Sequence, residues 1–289
     1  MALGKFSDLN LAKTAVLSGG TWAASLPLAN MKDDARYVGA PARCPDCTSL
    51  AKSKFYVTLE TTRSVSLVML MFHTMSPGGL YRVSGIGPGG SWLTPDLQTA
   101  WTPVFASLFD SHELEYEEEN WFTGQLPSSE QDLYPRHCTA LFEPVLISDL
   151  MIEINDVVHP DGFFDIGGLW VSSTWSAEMN FQRGMDLTME SRDQQDEAPS
   201  GRVFTEERTP RRYVTVTYDA SNTAEARRWI DAGARARSGR TVIFIPDADD
   251  EAGRVRDAFP AMFGNKLPGA RFNYPTLNPS TLTFKEIIA

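Results

Sequence analysis

The apolar positions of this chain fall into two rhythms. From Lys54 to about Trp175 they come in short runs of period two, separated by Gly and Pro. Phe55-Tyr56-Val57-Thr58-Leu59-Glu60 alternates, as does Tyr81-Arg82-Val83-Ser84-Gly85-Ile86, the spacing of strands with one covered face. Between them Val65 to Phe72 is almost continuously apolar, which predicts a strand covered on both faces. Further on, Ile152-Glu153-Ile154-Asn155 runs through His159-Pro160-Asp161-Gly162 into Phe163 to Trp170. Pro160 presets φ, Asp161 can bond its own backbone and Gly162 tolerates positive φ, so the stretch predicts an antiparallel hairpin. Trp101 to Leu126 lacks a period and reads as loop.

The second rhythm follows an acidic polar stretch, Glu190 to Gly201, which has little to bury and reads as an exposed loop or linker. Arg212 to Tyr218 is a β-branched and aromatic strand. Asn222 has the character of a helix N-cap, with Glu225 at the capping-box position. Ala226, Trp229, Ile230 and Gly233 keep helical spacing and Gly239 stands at the stop, giving a helix near 222–237. Thr241 to Pro246 and Ser280 to Ile288 are the closing strands. The pattern therefore implies a mainly β protein: an extended Gly/Pro-rich arm over 1–50, a β-sandwich over 51–175, and a smaller β-rich (α+β) domain with one helix over 176–289.

Composition narrows the functional classes. The 289 residues are 42% hydrophobic and 11% aromatic, ample for a packed core. A formal charge of −11 argues against a nucleic-acid groove, which needs clustered Lys and Arg to displace counterions. No apolar run is long enough to span a bilayer, so membrane insertion is not expected. Asp8 and Gly19-Gly20 interrupt any signal-peptide core, which implies a chain made in the cytoplasm with its mature end at or near Met1.

Candidate chemistry is sparse. Cys44-Pro45-Asp46-Cys47 has the spacing to present two sulfurs to one zinc ion, and His137-Cys138 could complete four ligands. Nothing in the sequence draws the two pairs together, and with three cysteines the simpler reading is unligated thiols. Gly85-x-Gly87-x-Gly89-Gly90 lacks the helix that gives a dinucleotide loop its meaning, so it reads as a turn. There is no G-x-S-x-G elbow. Glu115, Glu117, Glu118 and Glu119 could hold a hard cation, and Glu117 or Glu118 with Asp110 could serve a hydrolase, although an acidic run is more simply a solvated face. Trp92, Trp101 and Trp121 are candidates for sugar stacking, since aromatic rings complement the C–H faces of pyranoses, against a core or interface role. No cofactor is expected.

Four stretches carry a family resemblance. Leu17-Ser18-Gly19-Gly20-Thr21-Trp22 with Leu26-Pro27-Leu28-Ala29-Asn30-Met31, then Phe55 to Tyr81 with its His73-Thr74-Met75-Ser76 corner, then Ile152 to Trp170, and last Arg211 to Pro246 are involved. Together they resemble tail-tip or baseplate-associated structural proteins of siphovirus-type tailed bacteriophages, whose first half is a galactose-binding-like (discoidin-like) jelly-roll sandwich. The third stretch is similar to the family's I-E-I-x-D, N-P-D-G-Y and I-G-R-L run, departing where His159 replaces Asn and Gly168 replaces Arg. The resemblance implies a non-enzymatic virion component, made in the host cytoplasm and assembled with other tail proteins and copies of itself. The alternative it implies is a carbohydrate-binding module that contacts a host glycan.

Overall fold

The structure is a computed structural model and describes residues 3–33, 39–109, 112–116, 120–125, 136–181, 185–197, 199–237, 239–264, 267–270 and 278–288. Its described residues form two large antiparallel sheets and a small two-stranded ribbon. The first sheet runs Ala42–Cys44, Phe164–Ser172, Phe55–His73, His137–Asn155, Leu80–Ile86 and Leu97–Gln98. Val16–Ser18 pairs onto Phe55–His73, and Thr102–Pro103 onto Leu80–Ile86.

Two strands of nineteen residues, Phe55–His73 and His137–Asn155, turn this sheet into a sandwich. Their mutual register shifts between Thr58 and Arg63 and again between Val65 and Leu67, the irregularity that lets a long strand bend. Phe55 to Thr58 pairs with Asp149 to Ile152 in one leaf; Leu67 to Met71 pairs with His137 to Leu141 in the other. Side chains from both leaves meet in one core: Phe55, Val57, Val83, Leu150 and Ile152 against Val68, Leu70, Ile166, Leu169 and Val171. Alternation puts Phe55 with Val57, Leu150 with Ile152, Val68 with Leu70 and Leu169 with Val171 on the inner faces, and Ile166 joins them opposite the point where Phe72, at φ 54°, breaks the alternation.

The second sheet runs Lys5–Ser7, Val242–Ile245, Phe259–Phe263, Asn278–Glu286, Arg211–Ser221 and Asp186–Glu190. Helix Thr223–Ala236 covers one of its faces, burying Trp229 and Ala232 among Phe6, Val214, Val216, Leu282 and Phe284. The capping box forms as the sequence implies: the Glu225 backbone N–H donates to Asn222 Oδ1 (2.9 Å), and the Asn222 N–H to Glu225 Oε2 (3.0 Å). The helix stops before Gly239, because Arg237 takes a left-handed φ of 49° directly after Ala236. A second short helix, Glu251–Asp257, joins the one that was expected.

The two sheets pack face to face. Leu67, Met69 and Met71 point away from the sandwich core, on the opposite side from Val68 and Leu70. With Trp170 they meet Ile243, Ile245 and Ala258 of the second unit in a separate apolar seam. The Trp170 indole N–H is shared between Ser7 Oγ and Ser172 Oγ, both at 3.0 Å, so the seam leaves that donor satisfied. The mostly apolar run Val65 to Phe72 is thus covered on both sides.

Two sequence expectations meet a different arrangement. Ile152 to Trp170 is not a hairpin: His137–Asn155 and Phe164–Ser172 do not pair but lie on either side of Phe55–His73. A central strand with two apolar faces needs a hydrogen-bonded neighbour at each edge, and these two strands supply them. The turn itself forms as expected, with the Gly162 N–H donating to His159 O (3.1 Å) and Gly162 at φ 71°. Asp156 is buried and accepts from the Ser76 backbone N–H (2.8 Å) and hydroxyl, which pins the crossing loop to the chain beyond His73. Where a separate arm was expected over 1–50, Lys5–Ser7 is an edge strand of the second sheet, and Asn10 reaches the first. Its side-chain amide donates to Leu169 O (2.8 Å) and accepts from the Val171 N–H (3.1 Å), in the manner of a neighbouring strand. Alternating Phe6 and Ser7 explain this: Phe6 enters the second core, while Ser7 faces the seam.

Replacing Trp170 with Ala should cost about 3–5 kcal/mol, the range for emptying a large buried aromatic site. Trp92→Ala, at a partly exposed ring, should cost about 1 kcal/mol or less. Urea unfolding of the two variants measures the difference, and comparable losses would contradict the seam.

Candidate functional site

The sequence candidates are scattered by the fold. Cys44 and Cys47 are buried where strand Ala42–Cys44 meets the crossing loop, and burial pushes the Cys44 thiol up to about 11. Burial likewise raises the Cys47 thiol, and raises Cys138 well above the ordinary cysteine range. None is poised as a thiolate ligand or nucleophile. His137 and Cys138 are successive residues of one strand, so their side chains diverge. Cys138 enters the sandwich core, and the His137 ring packs on Phe72 beside the seam (4.9 Å). Among the described residues no group of three or more His, Cys, Asp or Glu is placed to hold a metal ion. Gly87 to Gly90 forms a turn, with Gly90 N–H donating to Gly87 O (3.0 Å), and leads to a strand rather than a helix. Glu115 is exposed; Asp110, Glu117, Glu118 and Glu119 lie outside the described residues.

The three tryptophans have different neighbours. Trp92 leans on Tyr56 (5.6 Å) and Trp101 lies under the Arg82 guanidinium (4.6 Å). Trp121 alone belongs to an exposed aromatic group, edge-on to Tyr116 (5.3 Å) and Phe122 (4.8 Å). Tyr116 is 76% and Phe122 91% exposed. Hydrogen bonds tie residues 105–109 to residues 120–125 around Trp121 and Phe122. Leu108 and Phe109 N–H groups both donate to Gly124 O (2.8 and 3.0 Å), and Asn120 Nδ2 donates to Gln125 O (2.7 Å). Gln125 Nε2 ties the loop to Phe105 O (2.9 Å). Gly124 sits at φ 62°, and a Cβ there would lie 2.2 Å from Ser107 Oγ, so the loop requires glycine. Tyr116 and Phe122 were not foreseen, because an aperiodic segment gives no indication of which rings face outward.

A second surface lies at the far edge of the second sheet. Asp186–Glu190 pairs with Arg211–Ser221 on one side and ends the sheet on the other. Beyond it the acidic stretch expected to be a loop forms a ribbon, Gln194–Glu197 against Val203–Glu206, in which all eight residues are exposed. Gly201 at φ 78° turns the chain back. Asp193 Oδ1 accepts the Arg208 N–H (2.8 Å), and the Arg208 guanidinium reaches Gln194 (3.1 Å) and Glu206 (3.0 Å), clasping the base of the ribbon. Ribbon and edge carry Leu187, Met189, Val203 and Phe204 into solvent. The β-branched and aromatic run Val203-Phe204-Thr205 was the available signal, outweighed by the polar residues before it.

Two cavities lie among the described residues. A cavity of about 30 Å³ beside Tyr81, His137, Glu251 and Arg254 has room for little more than a water. A shallow concavity of about 560 Å³ opens over Gly87, Gly89, Asp96 and Leu146.

No family model matches the chain, and no curated protein matches it. Several solved structures are similar. The family 32 CBM from C. perfringens NanJ in complex with galactose shares 16% identity at a TM-score of 0.36, covering 58% of this chain and 98% of its own. Chitosan-binding module 1 from the chitosanase/glucanase of Paenibacillus sp. IK-5 shares 14% at 0.35, covering 57% and 99%. The lectin domain of lectinolysin complexed with Lewis B antigen shares 11% at 0.36, covering 57% and 96%. All three superpose loosely, and nothing about the ligand of this chain follows from them.

Two buried histidines give a pH dependence. Burial lowers His73 to about 3, with Arg136 adding to the effect. Burial also holds His137 well below the ordinary histidine range, with His73 and Arg212 adding to it. Both are neutral in the fold, and His137 Nδ1 accepts the Phe72 N–H (3.3 Å). Unfolding exposes them at the ordinary 6.5, so the unfolded chain takes up protons that the fold refuses. Their contribution is whole above pH 6.5 and is lost as pH falls from there toward the folded values, by about 1.4 kcal/mol per pH unit for each histidine. His73→Asn and His137→Asn should each remove about one proton's worth of that slope in urea titrations across the acid range. Unchanged slopes would contradict the assignment.

Proposed function

We propose that this chain is a non-catalytic structural component of a tailed-phage virion, built into the tail tip or baseplate by contacts with other tail proteins and copies of itself. The observation that carries the reading is the free edge Asp186–Glu190 continued by an exposed ribbon bearing Val203 and Phe204. Unpaired strand edges and clustered exposed apolar side chains are the features that natural folds suppress unless a partner covers them. The family resemblance of the sequence supplies the setting: its stretches from Leu17 to Met31 and from Arg211 to Pro246 fall in the sandwich and in the second sheet respectively. Purified particles should contain the chain in fixed stoichiometry by quantitative mass spectrometry. Zero-length carbodiimide coupling should join carboxylates of residues 186–206 to lysines of a neighbouring protein. Absence of the chain from purified particles would overturn the reading.

A second reading, binding of a host glycan, is favoured by the Tyr116–Trp121–Phe122 group, whose exposed Tyr116 and Phe122 rings beside Trp121 suit the C–H face of a sugar. It predicts signal on a glycan array that is lost with Trp121→Ala and kept with Trp92→Ala or Trp101→Ala. A flat array from folded protein removes it.

A further inference from the structure

We infer that the edge strand Asp186–Glu190 is a docking site for a strand of a different protein whose sequence alternates basic and apolar residues, and that it excludes a second copy of this chain. The inference rests on the reading of this protein as an assembly component and names the chemistry of one partner.

The opposite edge of the same sheet serves as a contrast. Lys5–Ser7 is closed on its outer side by Trp175, which exchanges backbone hydrogen bonds with Phe6 (2.9 and 3.0 Å). Asp186–Glu190 has a strand on one side only among the described residues, and each of its five residues is exposed. It has no proline, lysine or bulge, and its blunting charges are the two carboxylates Asp186 and Glu190. It is also held in place. Five register pairs, Asp186 with Thr215 through Glu190 with Arg211, fix it to its neighbour, and Met185 before it packs on the second core. An ordered edge whose charges repel some strands and attract others is a surface that β-augmentation can use.

The side chains specify the occupant. Alternation puts Asp186, Thr188 and Glu190 on one face and Leu187 and Met189 on the other, with Met189 63% exposed. An antiparallel pairing of two copies centred on Thr188 would set Asp186 against Glu190 at both ends. A parallel pairing in register would set Asp186 against Asp186 and Glu190 against Glu190. Like charges directly across a ladder are destabilising, so both full-length self-pairings are disfavoured. Glu190 also accepts the Tyr213 hydroxyl (2.9 Å), which orients its carboxylate on that face. The complementary strand carries Lys or Arg opposite Asp186 and Glu190, and apolar residues opposite Leu187 and Met189.

The test uses the full chain and two capped hairpin peptides that present Lys-Val-Thr-Val-Lys or Glu-Val-Thr-Val-Glu as their outer strand. Binding is read by amide chemical-shift changes and by titration calorimetry. The basic peptide should bind at least about tenfold tighter than the acidic one, shift the amides of 186–190, and weaken as salt is raised. Asp186→Lys with Glu190→Lys should invert the preference; both side chains are exposed, and circular dichroism checks that the fold survives. Equal affinities, shifts centred elsewhere, or an unchanged preference in the charge-reversed variant would overturn the inference. If the chain is cross-linked into particles while the edge ignores both peptides, the edge inference fails and the assembly reading stands. If the edge binds the basic peptide but particles lack the chain, the assembly reading fails instead.

Discussion

The structure depends on one stretch of strand, Val65 to Met71, having no solvent face. Leu67, Met69 and Met71 lie in the seam while Val68 and Leu70 lie in the sandwich core, so each residue of this stretch excludes water from one of two interiors. A strand so placed must have both hydrogen-bonding edges filled and both faces covered, since a buried unpaired peptide group costs as much as a lost hydrogen bond. Phe164–Ser172 and His137–Asn155 fill the edges. The closed-over sandwich covers one face and the second sheet, through Ile243 and Ile245, covers the other. From this follow the crossing loop pinned by Asp156, the N-terminal segment stitched through Ser7 and Asn10, and the neutral state of His137 beside the seam.

That arrangement leaves the proposed contact surfaces at the periphery. Apolar surface is consumed at the centre, where leaf, seam, sheet and helix stack in order. Two surfaces at the periphery are an exposed aromatic group at one place and an acidic edge with its ribbon at another. Both are displayed by local hydrogen bonding, through Gly124 and Asn120 in the loop and through Asp193 and Arg208 at the ribbon.

The sequence revealed element type far better than partnership. Period two marked Phe55 to Glu60 and Tyr81 to Ile86, unbroken apolarity marked the two-faced strand, and Asn222 with Glu225 marked the helix start, because each is a local property of the chain. The hairpin at Ile152 failed for the complementary reason. A good turn fixes the direction of the chain, whereas pairing was decided by what a third strand far away in sequence required. Phe6 and Ser7 were too short a run to signal a strand, although each was already suited to the face it occupies. The candidate site followed the same rule. Trp121 was identified as a large ring in a loop, but its grouping with Tyr116 and Phe122, and the separation of His137 from Cys138 by strand alternation, are properties of three dimensions.

Hydrogen exchange on the chain alone and within the assembled particle tests the central claim most directly: a two-faced core strand forms the rigid centre, and recognition occurs at the sheet edge. In the free protein, amides of Leu67 to Met71 and of Val242 to Ile245 should share the slowest exchange, while those of Asp186 to Glu206 exchange quickly. On assembly the edge and ribbon should become protected and the centre should stay unchanged. Protection that appears elsewhere while Asp186 to Glu206 remains fast, or separate exchange of the two central strands in the free protein, would contradict the account.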